Sequence, residues 1–164
     1  MHILDQIALF KKELLEYKKQ VVSINDLERM SSFDRTCIKL TETIKASDFG
    51  LIAEHKRRSP SQAKINFNTD VFQVAKAYQE AGASGMSVLT DQKYFGGSLE
   101  DLMLCRSAVE LPLLRKDFIV DEYQIIESKA HGADVILLIA ACLNPNEVKQ
   151  FSKLSRQLGM QSIL

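Results

Sequence analysis

Three glycines, Gly82, Gly132 and Gly159, occupy the same place in a repeated pattern, and that pattern limits what this chain can fold into. Each follows the last residue of an amphipathic helical stretch and precedes a short apolar run: Ala81-Gly82-Ala83, His131-Gly132-Ala133 and Leu158-Gly159-Met160. A glycine just past a helix end is a stop signal, because it takes the left-handed turn at no steric cost. The apolar runs read as strands at Leu51-Ile52-Ala53, Gly85 to Leu89, Leu111 to Leu114, Val135 to Ile139 and Gln161 to Leu164. Helices fill the gaps. Asn68 to Ala81 carries Val71, Val74 and Tyr78 on one face, and Ser98-Leu99-Glu100-Asp101 reads as a capping box opening a helix to about Val109. Asp121 opens the next helix, which ends near Gly132. Asn144-Pro145-Asn146-Glu147 combines an N-cap, a first-turn proline and a carboxylate at the third position. Strands alternating with helices predict an α/β fold with a parallel sheet. The unbroken run Val135 to Ile139 suits a strand buried on both faces. An open doubly wound sheet and an eight-stranded barrel both satisfy this order. The first strand-to-helix turn has neither GxGxxG nor a Walker A sequence, which weighs against the nucleotide-binding version.

Residues 1–47 read differently. Ile3, Ile7, Phe10 and Leu14 recur at helical spacing among lysines and glutamates, giving one amphipathic helix. A short helix near Asn25 to Met30 and a weaker one from Phe33 to Thr43 follow. The organisation expected is a helical extension over 1–47 and βα units over 48–164.

With 46% hydrophobic residues among 164, the chain can bury one sizeable core. Its 21 basic and 21 acidic residues cancel, and Lys56-Arg57-Arg58 is too short a basic run to argue for nucleic acid. That run is either a solvated loop or an anion site at a strand end. Cys37, Cys105 and Cys142 are odd in number with no CxxC, which argues against a disulfide framework or a zinc site. His2, His55 and His131 lack metal-ligand spacing, so no metal is expected. The N-terminus lacks the apolar core of a signal peptide, and no apolar run approaches the ~20 residues of a membrane helix. A cytoplasmic protein with no membrane partner is the expectation.

Chemistry concentrates at strand ends. Side chains alternate along a strand, so Glu54 and Lys56 share one face while Ala53 and His55 share the other. Leu114, Lys116 and Phe118 share a face by the same parity. If those faces point into a barrel, the charged groups converge at its C-terminal mouth, where barrel enzymes work. Glu54 is the natural counter-charge for Lys56 or Lys116, since an unpaired buried ammonium is costly. From spacing alone a structural salt bridge and a catalytic cluster both remain open. Ser59-Pro60-Ser61 reads as a turn, and Tyr94-Phe95-Gly96-Gly97 as either an aromatic lid or a plain connection.

The wording around these residues resembles indole-3-glycerol phosphate synthase of tryptophan biosynthesis. The resemblance runs through Ile52-Ala53-Glu54-His55-Lys56-Arg57-Arg58-Ser59-Pro60-Ser61, then Ser87-Val88-Leu89-Thr90-Asp91 with Tyr94-Phe95-Gly96-Gly97-Ser98. It continues through Leu114-Arg115-Lys116-Asp117-Phe118-Ile119-Val120-Asp121 and Gly132-Ala133-Asp134-Val135-Ile136-Leu137-Leu138-Ile139. Ile3-Leu4-Asp5-Gln6-Ile7 resembles the family's opening helix. The resemblance implies a (β/α)8 barrel with an N-terminal helical extension. The implied reaction closes 1-(2-carboxyphenylamino)-1-deoxyribulose 5-phosphate to indole-3-glycerol phosphate, releasing carbon dioxide and water, without metal or organic cofactor. It gives Lys116 the role of general acid, Lys56 that of holding an anionic group and assisting dehydration, and Glu54 that of orienting both. Phe95, Phe118 and Leu137 would line the ring pocket, and Ser59 and Pro60 would shape the substrate loop. Gln62-Ala63 departs from a glycine usual in the family. A complete barrel needs roughly 250 residues, so strands one to five are expected here without the later strands and most of the phosphate site. An open sheet of that kind is expected to be inactive alone, and to self-associate, be complemented by a C-terminal half, rearrange its leader over the open face or fold only marginally. A non-catalytic assembly module is the alternative. A phosphoribosylanthranilate isomerase-like barrel explains the alternation but not the motif set.

Overall fold

The computed structural model describes residues 3–164; His2 lies outside the described residues. Five strands, β1 (Ile52–His55), β2 (Gly85–Leu89), β3 (Leu113–Lys116), β4 (Val135–Leu137) and β5 (Gln161–Ile163), pair in parallel and in chain order. A doubly wound sheet reverses its strand order at a switch point and carries helices on both faces. This sheet runs β1 to β5 without a reversal, so the arrangement is that of a barrel wall. It is unclosed: among the described residues β1 and β5 each pair along one edge. Three helices lead in, α1 (Ile3–Val21), α2 (Ile24–Glu28) and α3 (Leu40–Ala46). The outer helices are α4 (Val71–Glu80), α6 (Leu99–Ala108), α7 (Glu122–Ala130) and α8 (Pro145–Gln157), and a short α5 (Gln92–Phe95) follows β2.

Alternation along the strands separates two cores. Met86, Val88, Leu113, Ile136 and Leu138 face outward and pack with Val71, Ala75, Leu102, Cys105 and Phe151 of the helices. Leu114 and Val135 face the other way, with Ile52, Leu137 and Ile163 beside them. Leu40 and Ile44 of α3 join this inner cluster, so part of the leader plugs the sheet's concave side. A third cluster joins Leu15 and Leu27 of the leader to Val120, Tyr123 and Ala130 around α7.

The junction glycines act as stops in the expected way. Gly82, Gly132 and Gly159 have φ of +83, +90 and +79°, in the region where a side chain is strained. The Asn144 cap is complete: its side chain accepts from Asn146 and Glu147, and Glu147 returns a bond to the Asn144 N–H. In the Ser98 capping box the returning carboxylate is Asp101.

Element boundaries move for identifiable reasons. Helix α4 starts at Val71 rather than Asn68, because the Asp70 side chain caps it by accepting from Phe72 N–H. Strand β3 runs from Leu113 to Lys116, two residues later than read from the sequence. Pro112 has no N–H to give a ladder, and Leu113 N–H goes to Asp134 Oδ2 at 2.8 Å. β1 is displaced in the same sense and reaches His55, which pairs with Val88. The Tyr94–Gly97 connection holds the helical turn α5, capped by Asp91 and ended by Gly96.

The largest difference is in Phe33–Lys39, where turn and extended backbone replace a helix. Asp134, wholly buried, captures this segment: its Oδ1 accepts Ile38 N–H at 2.8 Å and pairs with Arg35 at 2.8 Å. Its other oxygen pairs with Arg106 at 2.9 Å and accepts Leu113 N–H. One carboxylate thus joins the leader, the end of α6, β3 and β4. Removing one partner of a buried ion pair leaves a desolvated charge behind. Asp134→Ala is therefore expected to lower unfolding free energy by about 3–5 kcal/mol, read from urea titration.

Candidate active site

The inner-facing ends of β1, β2 and β3 bring one carboxylate and two ammonium groups together. Glu54 Oε2 accepts from Lys116 Nζ at 2.8 Å and from Ser87 Oγ at 2.9 Å. Glu54 Oε1 lies 3.2 Å from Lys56 Nζ. Register explains the meeting: Glu54 pairs with Ser87, and Leu89 with Lys116. The Lys116 side chain is 36% exposed and that of Glu54 27%, so the groups are held by protein yet open to a ligand. Burial pushes the Glu54 carboxyl up, but hydrogen bonds from Lys116 and Ser87, the Lys116 charge and the Lys56 contact outweigh it and hold it below its ordinary value. Glu54 is therefore a carboxylate at neutral pH that keeps two cations in place.

A cavity of about 190 Å³ sits over this cluster, lined by Glu54, Lys56, Leu89, Phe95, Lys116, Asp117, Phe118, Leu137 and Ile139. Phe95 and Phe118 face each other with centroids 6.2 Å apart and planes at 36°. Pockets that enclose a drug-sized molecule run to about 300 Å³ or more. The described residues therefore wall a site from one side, offering two aromatic faces beside two ammonium groups.

Of the residues singled out in the sequence, the fold brings together Glu54, Lys56, Lys116, Phe95, Phe118 and Leu137. Ser59 and Pro60 do not line the cavity. Ser59 closes a tight turn on Gln62, exchanging N–H···O bonds of 2.8 and 3.1 Å, and the turn stands out from the strand end. The basic run also divides. Arg57 pairs with Asp101 through both terminal guanidinium nitrogens and Arg58 donates to the carbonyls of Gln92 and Lys93. Lys56 alone of the three joins the cluster. Ser87, Leu89 and Ile139 escaped the sequence reading, although strand parity puts Ser87 opposite Glu54. His55 faces outward and is buried, with its pKa lowered by burial and by Arg57. Among the described residues no group of three or more His, Cys, Asp or Glu is placed to hold a metal ion. No described helix is long and apolar enough to cross a membrane.

A buried charge network backs the site. Arg115 and Asp117, on either side of Lys116, put their charged groups into this network. Arg115 pairs with Asp117 at 3.1 Å and Glu127 at 2.9 Å, and Lys18 of α1 also reaches Glu127. Thr90 Oγ1 donates to Asp117 Oδ2 at 2.6 Å and accepts from Arg115 Nε at 3.0 Å. Lys11 of α1 pairs with Asp117 at 2.7 Å. Burial pushes Asp117 up, but the charges of Arg115 and Lys11 and the bonds from Lys11 and Thr90 hold it down at about 2. Gly97 packs directly on the end of β2: a Cβ there would lie 1.9 Å from the Leu89 carbonyl oxygen.

A family model described as indole-3-glycerol phosphate synthase matches residues 4–164. A protein of that name from Leptospira interrogans is 46% identical over 143 residues, covering 85% of this chain and 57% of that relative. One from Paenarthrobacter aurescens is 44% identical over 169 residues, covering 100% and 62%. One from Bacteroides thetaiotaomicron is 39% identical over 162 residues, covering 99% and 62%. The chain spans about three fifths of the length of the curated relatives it matches.

Two outcomes follow from the geometry. Asp117 has its folded pKa depressed from 3.8 to about 2, so its contribution to stability is present above about 4 and lost as pH falls through about 2. The urea midpoint should drop across that window, and Asp117→Asn should be less stable at pH 7 but flatter within it. Gly97→Ala must displace backbone at Leu89. It should destabilise by about 1–3 kcal/mol and disturb the NMR shifts of Leu89 and Phe95 together.

Proposed function

The chain belongs to the indole-3-glycerol phosphate synthase family, and on that premise we propose that its Glu54–Lys56–Lys116 cluster is the acid side of that reaction's active site. The substrate would be 1-(2-carboxyphenylamino)-1-deoxyribulose 5-phosphate. The observation that carries this reading is Lys116 Nζ held 2.8 Å from Glu54 Oε2, with Lys56 beside it and the facing Phe95 and Phe118 above.

The chemistry calls for these groups. The ring carbon bearing the carboxylate attacks the ketone, and the developing oxyanion takes a proton from Lys116. The new carbon–carbon bond is made as the carbonyl becomes a hydroxyl. Carbon dioxide then leaves, returning its bonding pair to the ring. Finally the hydroxyl departs as water with a proton lost from the neighbouring methylene, which gives the indole. That proton and one from solvent restore the ammonium groups. Lys56 would hold the substrate's anionic group and assist loss of the hydroxyl. Glu54 orients both cations, and Phe95, Phe118 and Leu137 offer apolar surface to the ring. Ser59 and Pro60 would act through the substrate loop rather than by lining this cavity.

One-sided walls imply more. We infer that the 164-residue chain does not turn over alone, because the site faces open space across from the cluster and needs a polypeptide supplying facing strands and phosphate contacts. The single-edge pairing of β1 and β5 among the described residues supports such complementation, or self-association in a non-catalytic assembly. The free thiols Cys37, Cys105 and Cys142 fit a reducing cytoplasm, and Cys105 is pushed up to about 12 by burial and Asp101, far from a nucleophile.

Incubation with the substrate, followed by indole fluorescence, tests both parts. The chain alone should be silent, and addition of a polypeptide carrying the remaining strands should give turnover. Lys116→Ala should then lower kcat by about 10²–10⁴. Turnover that survives this substitution would contradict the assignment of Lys116.

A further inference from the structure

One ammonium, Lys11 Nζ of α1, joins the two segments that carry the facing phenylalanines. It lies 3.0 Å from Asp91 Oδ2 and 2.7 Å from Asp117 Oδ1. Each of those carboxylates also holds the backbone of one aromatic wall. Asp91 Oδ1 caps α5, accepting Tyr94 N–H at 2.6 Å and Phe95 N–H at 3.3 Å. Asp117 Oδ1 accepts Phe118 N–H at 2.8 Å. The chain of contacts runs from Phe95 through Asp91, Lys11 and Asp117 to Phe118. Both carboxylate side chains are 1% exposed and the Lys11 side chain 8%, so the three charges interact with little solvent screening. Phe10, the neighbour of Lys11, meets Tyr94 edge-on at 6.1 Å, and Lys93 stands 3.8 Å above the Phe10 ring. The leader helix therefore grips α5 at two successive residues.

We propose that Lys11 is a positioning residue that sets the spacing of the Phe95–Phe118 slot. The paired rings offer apolar surface to a planar aromatic ring carrying a carboxylate; this substrate class rests on the function proposed above, whereas the positioning itself does not. Without the ammonium, two buried like charges face each other across the gap between the walls. Losing the ammonium also removes the tie between the two segments, so they separate and carry the rings apart. Lys11 touches no reacting atom and acts only through the two aspartates.

Aromatic NOEs of the purified chain read the slot directly. The wild type and Lys11→Arg, which keeps the charge, should show ring-to-ring NOEs between Phe95 and Phe118. Lys11→Met should lose them while its other core NOEs persist. If Lys11→Met does not fold, the double variant Lys11→Met/Asp91→Asn removes one of the opposed charges and carries the test. It too should lose the NOEs, because the bridge is gone. A folded Lys11→Met or double variant that keeps the Phe95–Phe118 NOEs overturns the proposal. In the complemented turnover assay, misplacing the slot should raise KM about 10- to 100-fold, with Lys11→Arg restoring most of the loss. Failure of the catalytic reading looks different: no turnover by the wild type, with the ring NOEs and their dependence on Lys11 intact.

Discussion

Lys116 can face the cavity because its two neighbours are held elsewhere. Arg115 and Asp117 are buried at the strand end, their charged groups tied into a network with Glu127, Thr90, Lys11 and Lys18. Several buried charges are expensive to desolvate, and such a network is tolerable only when nearly every member is paired. Here the pairing spans α1, β2, β3 and α7. The strand end carrying Lys116 is thus fixed from three directions before any ligand arrives, which is how a site achieves pre-organisation. The same network makes the leader part of the site's support, although none of its described side chains lines the cavity over Glu54 and Lys116.

Asp134 works in a similar way at the other end of the sheet. It draws in Arg35, Arg106 and two backbone N–H groups, while Leu40 fills the concave side below. Leader and sheet are therefore joined at both ends of the strands, by charge near the mouth and by charge with apolar packing at the base. This double attachment gives the open sheet a buried inner core without a closed ring of strands.

Much of this architecture was legible in the sequence because it is written locally. Gly82, Gly132 and Gly159 punctuate helices through their own backbone freedom, and Asn144 with Glu147 caps α8 within one turn. Strand parity placed Glu54, Lys56 and Lys116 on common faces, and the fold brings them within bonding distance. What stayed hidden depends on contacts across the chain. Lys11 meets Asp91 and Asp117 from a helix far away in sequence, and no periodicity marks such a pairing. The first part of the Phe33–Thr43 helix, up to Lys39, yielded to a distant carboxylate, Asp134. The offset of β3 was in principle readable from Pro112, whose missing N–H argues against a strand starting at Leu111. Ser87 was also within reach, one strand over from Glu54, once register was known. Ser59 and Pro60 stand apart because their turn closes on Gln62, a local preference that motif wording alone does not reveal.

The most direct test is a crystal structure of the substrate-bound assembly, formed with the polypeptide that supplies the facing strands and trapped with Lys116→Met. The account predicts the carboxyphenyl ring against Phe95 and Phe118, with the ketone oxygen turned toward position 116 and Glu54 still holding Lys56. A ring bound outside this slot, or a ketone facing away from position 116, would contradict it.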